Sequence, residues 1–115
     1  MILYGIKNCN TVKSAVDWLK KNKIPFEFHD YKSKGITEAK LNKWSKQVGW
    51  EALVNRRGTT WRMLDEKVQA KVTNAASAFA LMQEKTSVIK RPLIEKDGKV
   101  IVLGFDEKEY SEKLL

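Results

Sequence analysis

The sequence has one cysteine, Cys9, one histidine, two prolines and no long apolar run. A single cysteine cannot form an internal disulfide, and a chain without disulfides suits a reducing compartment. No apolar stretch approaches the ~18 residues that a membrane-spanning helix needs. Residues 1–9 lack the basic and apolar regions of a signal peptide. These absences predict a cytoplasmic protein with no membrane partner.

Metal sites and nucleic-acid surfaces are also poorly supported. The lone His29 and the lone Cys9 form no spacing that is typical of metal ligands, so we predict no metal and no bound cofactor. The 22 lysines and arginines exceed the 14 acidic residues and give a formal net charge of +8. The lysines are scattered, and no basic stripe is interleaved with aromatic residues. We therefore predict no nucleic-acid partner, although a positive field still attracts small anions.

The first third of the 115 residues alternates between strand and helix patterns. Residues 1–6 are apolar and β-prone, which predicts a buried strand. Residues 11–22 carry apolar side chains at helical spacing, with Asn10 as the expected N-cap. Phe26 and Phe28 then alternate with polar residues, which indicates a second strand. A strand–helix–strand order predicts a parallel strand pair.

The remaining residues divide into a helical block and a β-rich end. Helices are predicted at 37–49 and 66–85, with brief helical turns between them. Residues 92–103 form two β-prone runs around Asp97-Gly98, a strong hairpin signal, and a final helix follows Asp106. The fold class is therefore α/β: a single domain in which a thioredoxin-like mixed sheet at about 1–34 and 86–115 carries an all-helical insertion at about 35–85.

Cys9 lies between the first strand and the first helix. Unpaired amides and partial positive charge at a helix N-terminus stabilise a thiolate, so the pKa of Cys9 should fall below about 8.5. Lys7 and Lys13 add positive charge nearby in the sequence, and the same amides can hold an anion. The alternative is a small buried core cysteine. Position 12 is Val12, which excludes a C-x-x-C motif, so a redox-active Cys9 needs an external thiol.

All four arginines lie in two short stretches, at 56–62 and at 91. Arginine binds carboxylates and other anions through two parallel hydrogen bonds, so this partition suggests anion recognition. The alternative is that these arginines are solvated surface charges. Arg91 precedes Pro92 at the start of a predicted strand, where a cis or a trans peptide bond is possible.

Four stretches, "LYGIKNCNTVKSAVDWL", "FEFHDYKSKGIT", "VNRRGTTWRML" and "SVIKRPLIE", together resemble the ArsC/Spx family. The resemblance is strongest to its YffB-type branch of glutathione-dependent thiol reductase-like proteins, and it runs in order along nearly the whole chain. It implies a thioredoxin-like fold with a helical insertion, in agreement with the order of the predicted elements.

The resemblance also implies roles for particular residues. Cys9 matches the nucleophile, Arg91 an active-site arginine, and Pro92 a cis-proline that shapes the thiol site. Arg56 is favoured over Arg57 as the second active-site arginine, because the N-R-x-G spacing fits best there. The predicted residues therefore fall into catalytic Cys9, Arg56 and Arg91, and substrate-binding Asn10, Thr11, Arg57 and Pro92.

One feature of arsenate reductases in this family is missing. Their third arginine follows the last strands, where this chain reads "VIVLGFDE". The resemblance therefore implies an oxidoreductase that uses glutathione or a glutaredoxin-type protein as thiol donor, and a small anionic or disulfide substrate. Three alternatives stay open: a genuine arsenate reductase, a Spx-like regulator that binds the RNA polymerase α subunit, and a catalytically silent relative.

Overall fold

The structure is a computed structural model that describes all residues from Met1 to Leu115. The chain forms two compact units. The first comprises Met1–Lys34 and Arg91–Leu115, and the second comprises Gly35–Lys90. Residues 86–90 belong to the second unit, where the backbone of Lys90 donates a hydrogen bond to Leu53 at 2.7 Å.

The first unit is built on a four-stranded mixed sheet. Its strands are β1 (Ile2–Gly5), β2 (Glu27–Asp30), β3 (Leu93–Lys96) and β4 (Lys99–Leu103), in the spatial order β2-β1-β3-β4. The β1–β2 pair is parallel, while β1–β3 and β3–β4 are antiparallel. The predicted parallel pair and mixed sheet are confirmed.

Three helices accompany this sheet: α1 (Asn10–Lys21), α2 (Tyr31–Lys34) and α8 (Glu107–Leu114). Helix α1 buries its apolar face against one side of the sheet. Alternate strand residues point to that side, and the resulting core contains Leu3, Val12, Ala15, Trp18, Leu19, Ile94, Val102 and Tyr110. Sequence reasoning did not predict α2, because four residues are too few for a helical pattern.

Local signals determine the C-terminal elements of this unit. Asp97 and Gly98 both have positive φ, 52° and 78°, as a type I′ hairpin turn requires. The carboxylate of Asp106 accepts hydrogen bonds from the amides of Lys108 and Glu109 and caps α8. The Phe105 ring packs against Tyr110, a buried residue of that helix, with ring centroids 4.8 Å apart. The hairpin and the capped final helix were both predicted.

The second unit contains five helices and one 3₁₀ turn. The helices are α3 (Glu38–Val48), α4 (Trp50–Leu53), α5 (Thr59–Arg62), α6 (Glu66–Ala70) and α7 (Ala75–Glu84), and the turn spans Thr86–Val88. Helices α3, α4 and α7 contact one another. Their buried side chains include Leu41, Trp44, Leu53, Phe79 and Met82. An isolated bridge between Val54 and Ile89 is the only β pairing in this unit.

The predicted helix over 66–85 is wrong, because the chain breaks between α6 and α7. Asn74 is the N-cap of α7, and its side chain accepts a hydrogen bond from the amide of Ser77 at 2.9 Å. The Ser77 hydroxyl in turn accepts from the Asn74 amide at 3.1 Å. This capping box starts a new helix inside a region whose apolar spacing resembles one continuous helix.

Candidate active site

Cys9 itself is the N-cap of α1. Its backbone is extended, with φ −114° and ψ 123°, and its carbonyl accepts a hydrogen bond from the Lys13 amide at 2.9 Å. Asn10 is the first helical residue, so the prediction of Asn10 as N-cap is wrong by one position. The helix begins directly after the turn that follows β1, with Cys9 as its N-cap, even though asparagine caps helices better than cysteine.

The N-cap position directs the first amides of the helix toward sulfur. The side chain of an N-cap residue ordinarily accepts from the second or third helical residue, which here are Thr11 and Val12. Both amides lower the pKa of Cys9, although neither forms a regular side-chain cap hydrogen bond. The half-buried sulfur therefore takes the place of a capping oxygen.

Gly5 allows the end of β1 to approach the start of α1 closely. A β-carbon at Gly5 would lie 2.9 Å from Cγ2 and 3.1 Å from Cγ1 of Val12, nearer than the 3.5–4.0 Å of comfortable carbon contacts. The glycine is thus required by space. The close contact fixes the helix turn that carries the Val12 amide.

Arg91 supplies a cation to the same sulfur. Partial burial alone raises the pKa of Cys9, but the Val12 amide, the charge and hydrogen bond of the Arg91 guanidinium, and the Thr11 amide all lower it. The net result is a pKa of Cys9 below its ordinary value. The structure therefore brings together Cys9 and Arg91, two of the predicted site residues, in one unit.

Pro92 joins Arg91 to strand β3. The Arg91–Pro92 peptide bond is cis, as the family resemblance implied. Pro92 is buried, and its carbonyl accepts a hydrogen bond from the Gly104 amide at 2.7 Å. This bond ties the start of β3 to the end of β4 and thereby anchors the residue next to Arg91.

A buried polar cluster on the second face of the sheet was not predicted. The Tyr4 hydroxyl donates to the Glu95 carboxylate at 3.2 Å, and the Tyr4 ring lies 4.7 Å from His29 and 6.0 Å from Tyr31, centroid to centroid. Burial raises the pKa of Tyr31, whereas the charge of Arg91 lowers it, so this cluster lies within electrostatic range of the site arginine. Strand alternation places Tyr4 on the face opposite Leu3, but only the register between β1 and β3 brings Glu95 to the same face.

The other arginines lie in the second unit. The guanidinium carbon of Arg56 is 6.0 Å from the ring centroid of Trp50 and 5.5 Å from that of Trp61, distances at which indoles attract a cation. Arg57 is exposed, and its amide donates to the Asn55 side chain at 3.2 Å. The two arginines help to line a cavity of about 490 Å³. The roles of Arg56 and Arg57 stay predictions from the family resemblance.

Two kinds of feature are not found in the structure. No group of three or more histidine, cysteine, aspartate and glutamate side chains is arranged to hold a metal ion. None of the helices has the length and the apolar character that crossing a membrane would require.

The fold and the sequence define the class of protein. The profile of the ArsC family matches residues 4–113, so the chain belongs to the ArsC family, and its fold is the thioredoxin-like fold of that family.

Individual relatives agree with this assignment. The YffB protein, whose structure is solved, is 42% identical in sequence to this chain. The two structures align with a TM-score of 0.91, and the alignment covers 99% of this chain and 98% of the YffB chain. An arsenate reductase (ArsC) related protein from Brucella melitensis is 46% identical, with a TM-score of 0.77 over 96% and 91% of the two chains. The global transcriptional regulator Spx of Streptococcus pneumoniae is 25% identical over 93% of this chain and 80% of the regulator.

Proposed function

We propose that this protein is a thiol-dependent oxidoreductase with one nucleophilic cysteine, and that glutathione or a glutaredoxin-type protein is its thiol donor. The observation that supports this most is the position of Cys9, whose sulfur lies among two helix amides and the Arg91 guanidinium. These groups favour the thiolate, which is the reactive form of cysteine. Family membership supports the same chemistry.

The reaction consists of two thiol–disulfide exchanges. The Cys9 thiolate attacks one sulfur of a disulfide, the old S–S bond breaks, and the second sulfur departs as a thiolate that takes a proton. Cys9 is then held in a mixed disulfide. A glutathione thiolate attacks that bond and restores the Cys9 thiolate. When the bound group is a glutathionyl group taken from the substrate, one incoming glutathione thiol releases it as glutathione disulfide, and the other sulfur of the substrate ends as a thiol.

Arg91 and the start of α1 have different roles in this proposal. Arg91 stabilises the thiolate and holds a carboxylate or oxyanion of the substrate through its guanidinium. The amides of Asn10 and Thr11 lie at the helix N-terminus, where anionic groups are favoured. Pro92 shapes the wall beside the sulfur. Arg56, whose guanidinium lies within 6.0 Å of two indole rings, is the favoured second arginine, and Arg57 is the alternative.

Arsenate reduction is a narrower version of the same proposal. The similarity to an arsenate reductase related protein favours it, but the segment "VIVLGFDE" contains no arginine to serve as the third anion ligand. A glutathione-dependent disulfide reductase therefore fits the residues better. Arsenate-dependent consumption of glutathione that exceeds the disulfide activity would reverse this preference.

A Spx-like regulatory role is the second candidate function. The Spx match over 93% of this chain favours it, whereas Val12 replaces the second cysteine that a C-x-x-C switch would need. Stoichiometric capture of the RNA polymerase α subunit by a protein without thiol exchange activity would support this role. Capture that needs an intact Cys9 would link the two functions.

The reductase proposal is tested by the rate at which iodoacetamide alkylates Cys9 between pH 4 and pH 10. We expect the rate to reach half its maximum below the ~8.5 of an ordinary thiol. Incubation with glutathione disulfide should give a mixed disulfide at Cys9, detected by mass spectrometry. Reduced glutathione should then reverse it.

Arginine variants provide the matched controls. In Arg91→Ala the midpoint of alkylation should move to higher pH, because the cation beside sulfur is lost, and Arg91→Lys should restore part of the shift. Arg62→Ala removes an exposed arginine outside the proposed site and should leave the midpoint unchanged. A wild-type midpoint at the ordinary thiol value, with no glutathione adduct, would rule out the reductase.

A further inference from the structure

A groove lies between helix α1 and strand β2, in the unit that also contains the thiol. Its volume is about 420 Å³, and its apolar floor consists of Val12, Val16, Phe26 and Phe28. The last three of these side chains are only half-buried. Covering such a surface with an apolar group is favourable. This α1–β2 groove is formed entirely within the first unit.

The rim of the α1–β2 groove is cationic. It is formed by Lys7, Lys13 and Lys20, all of them exposed, and no acidic residue lines the groove. Glu27 lies between the two phenylalanines in sequence, but strand alternation directs it to the other face. There its charge contributes to raising the pKa of Tyr4. The groove therefore combines an apolar floor with a rim of three lysines.

The groove and the thiol share one turn of helix. The side chain of Val12 lines the groove, while its amide faces the sulfur of Cys9. Lys7 and Lys13 lie two residues before and four residues after that cysteine in the sequence. Cys9 does not itself line the α1–β2 groove, but the first turn of α1 connects the groove to the thiol.

We propose that the α1–β2 groove binds an acidic peptide segment with an apolar side chain, located next to the oxidised cysteine of a protein substrate. Along α1 the groove spans Val12 to Lys20, about 12 Å at 1.5 Å per residue. That length matches roughly four residues of extended chain. Strand β2 is an edge of the sheet, and extended peptides commonly bind beside sheet edges.

Smaller ligands match the groove less well. Arsenate carries charge but no apolar surface, and it would leave most of the 420 Å³ unfilled. Glutathione carries carboxylates but no large apolar side chain, so the side chains of Phe26 and Phe28 would remain exposed to water. The inference rests on the proposed function, because it identifies the substrate of that reductase as a disulfide-bearing protein.

The test uses the full-length Cys9→Ser protein, which retains the groove and cannot exchange disulfides. A fluorescein-labelled peptide of aspartate, glutamate, leucine and phenylalanine is titrated at low salt, and binding is followed by anisotropy. One comparison peptide replaces leucine and phenylalanine by serine, and another replaces the acids by lysine. We expect the acidic apolar peptide to bind at least about tenfold more tightly than either, since each lacks one half of the complementarity.

Variants locate the binding on the groove. Lys20→Glu should weaken binding about three- to tenfold, as expected for reversing one exposed charge. Lys21→Glu changes the net charge by the same amount at an exposed site on the same helix turn, outside the groove. Its affinity for the peptide should stay within about twofold of that of the protein without this change. Val16→Thr keeps the side-chain shape but places a hydroxyl on the floor, and it should weaken binding several-fold. Circular dichroism verifies folding of each variant.

Every other outcome of these measurements supports or overturns either the groove proposal or the proposed function. Equal weakening by Lys20→Glu and Lys21→Glu would reduce the effect to net charge and overturn the proposal. Binding of dodecanoate without binding of the peptide would assign the groove to small amphiphiles and would also overturn it. If no peptide binds while wild-type Cys9 exchanges with small disulfides, the groove proposal fails and the proposed function stands. Peptide binding without exchange supports the peptide site and overturns the reductase.

Discussion

Replacing Gly5 by alanine probes the close approach between β1 and α1 that positions the thiol. The new methyl carbon would lie 2.9 Å and 3.1 Å from the two γ-carbons of Val12. A comfortable separation is 3.5–4.0 Å, so strand and helix must separate by roughly 0.5–1 Å. Over-packing of this kind costs about 1–3 kcal/mol. The less flexible unfolded chain offsets about 0.4–1 kcal/mol of this cost, which leaves Gly5→Ala less stable by up to about 2.6 kcal/mol.

A double-mutant cycle isolates this contact. Val12→Ala removes both crowded methyl groups and costs about 1.5–3 kcal/mol through lost burial and a small cavity. In Gly5→Ala/Val12→Ala the new methyl group occupies part of that cavity. The double variant should therefore be about 1–3 kcal/mol more stable than the sum of the single changes predicts.

Urea unfolding followed by circular dichroism measures these free energies. Gly5→Ala/Val16→Ala is the control cycle, because Val16 is absent from the nearest contacts of Gly5, and it should be additive. Gly5→Ala should also shift Cys9 alkylation to higher pH, because the Val12 amide moves away from sulfur. If the Gly5/Val12 cycle is additive within about 0.5 kcal/mol, the close approach does not determine the geometry of this site.

Two further predictions concern stability. The wild type should gain stability over Cys9→Ser as the pH rises from the lowered pKa of Cys9 to about 8.5. In this pH range the Cys9 thiol holds its proton more in the unfolded chain than in the folded one, so the difference between the two free energies of unfolding increases with pH. Urea titrations across pH measure it, and a flat difference would contradict a lowered pKa. Tyr110→Phe loses the 2.7 Å hydrogen bond to the Gly104 carbonyl and should cost about 0.5–1.5 kcal/mol. No measurable loss in urea would show that water replaces this bond.

Elements whose ends are set by local chemistry could be predicted from the sequence. The Asp97-Gly98 turn needs two positive φ angles, which these residues tolerate best. Helix α3 begins after Thr37, whose side chain accepts a hydrogen bond from Lys40, and it ends before Gly49 with φ 85°. In each case neighbouring residues in the sequence supply the required geometry, so a short window contains the answer.

Elements whose ends depend on distant contacts could not be predicted in the same way. The N-cap of α1 is Cys9 and not Asn10, and the first turn of this helix packs through Val12 against Gly5 of strand β1. The break before α7 has a local cause instead, the reciprocal hydrogen bonds of Asn74 and Ser77, but the apolar residues on either side are spaced as in one continuous helix. The spacing of apolar residues does not register such side-chain geometry.

The candidate site also contains residues that neighbouring sequence identifies and residues that only distant contacts bring together. Cys9 and Arg91 could be identified from the sequence, because one follows a strand and precedes a helix and the other precedes a proline in a family motif. The buried pair of Tyr4 and Glu95 depends on the register between β1 and β3, residues 91 positions apart. Tyr31 joins this cluster through a helix too short to leave a pattern.

The position of Cys9 at the N-terminus of α1 also governs how easily its sulfur departs. In a mixed disulfide, the sulfur with the lower thiol pKa is the better leaving group. The helix amides and Arg91 stabilise the Cys9 thiolate, so an incoming thiol that attacks the bound group expels Cys9 readily. A chain with no second cysteine to release its own adduct thereby keeps that adduct short-lived, and regeneration depends on the supply of external thiol.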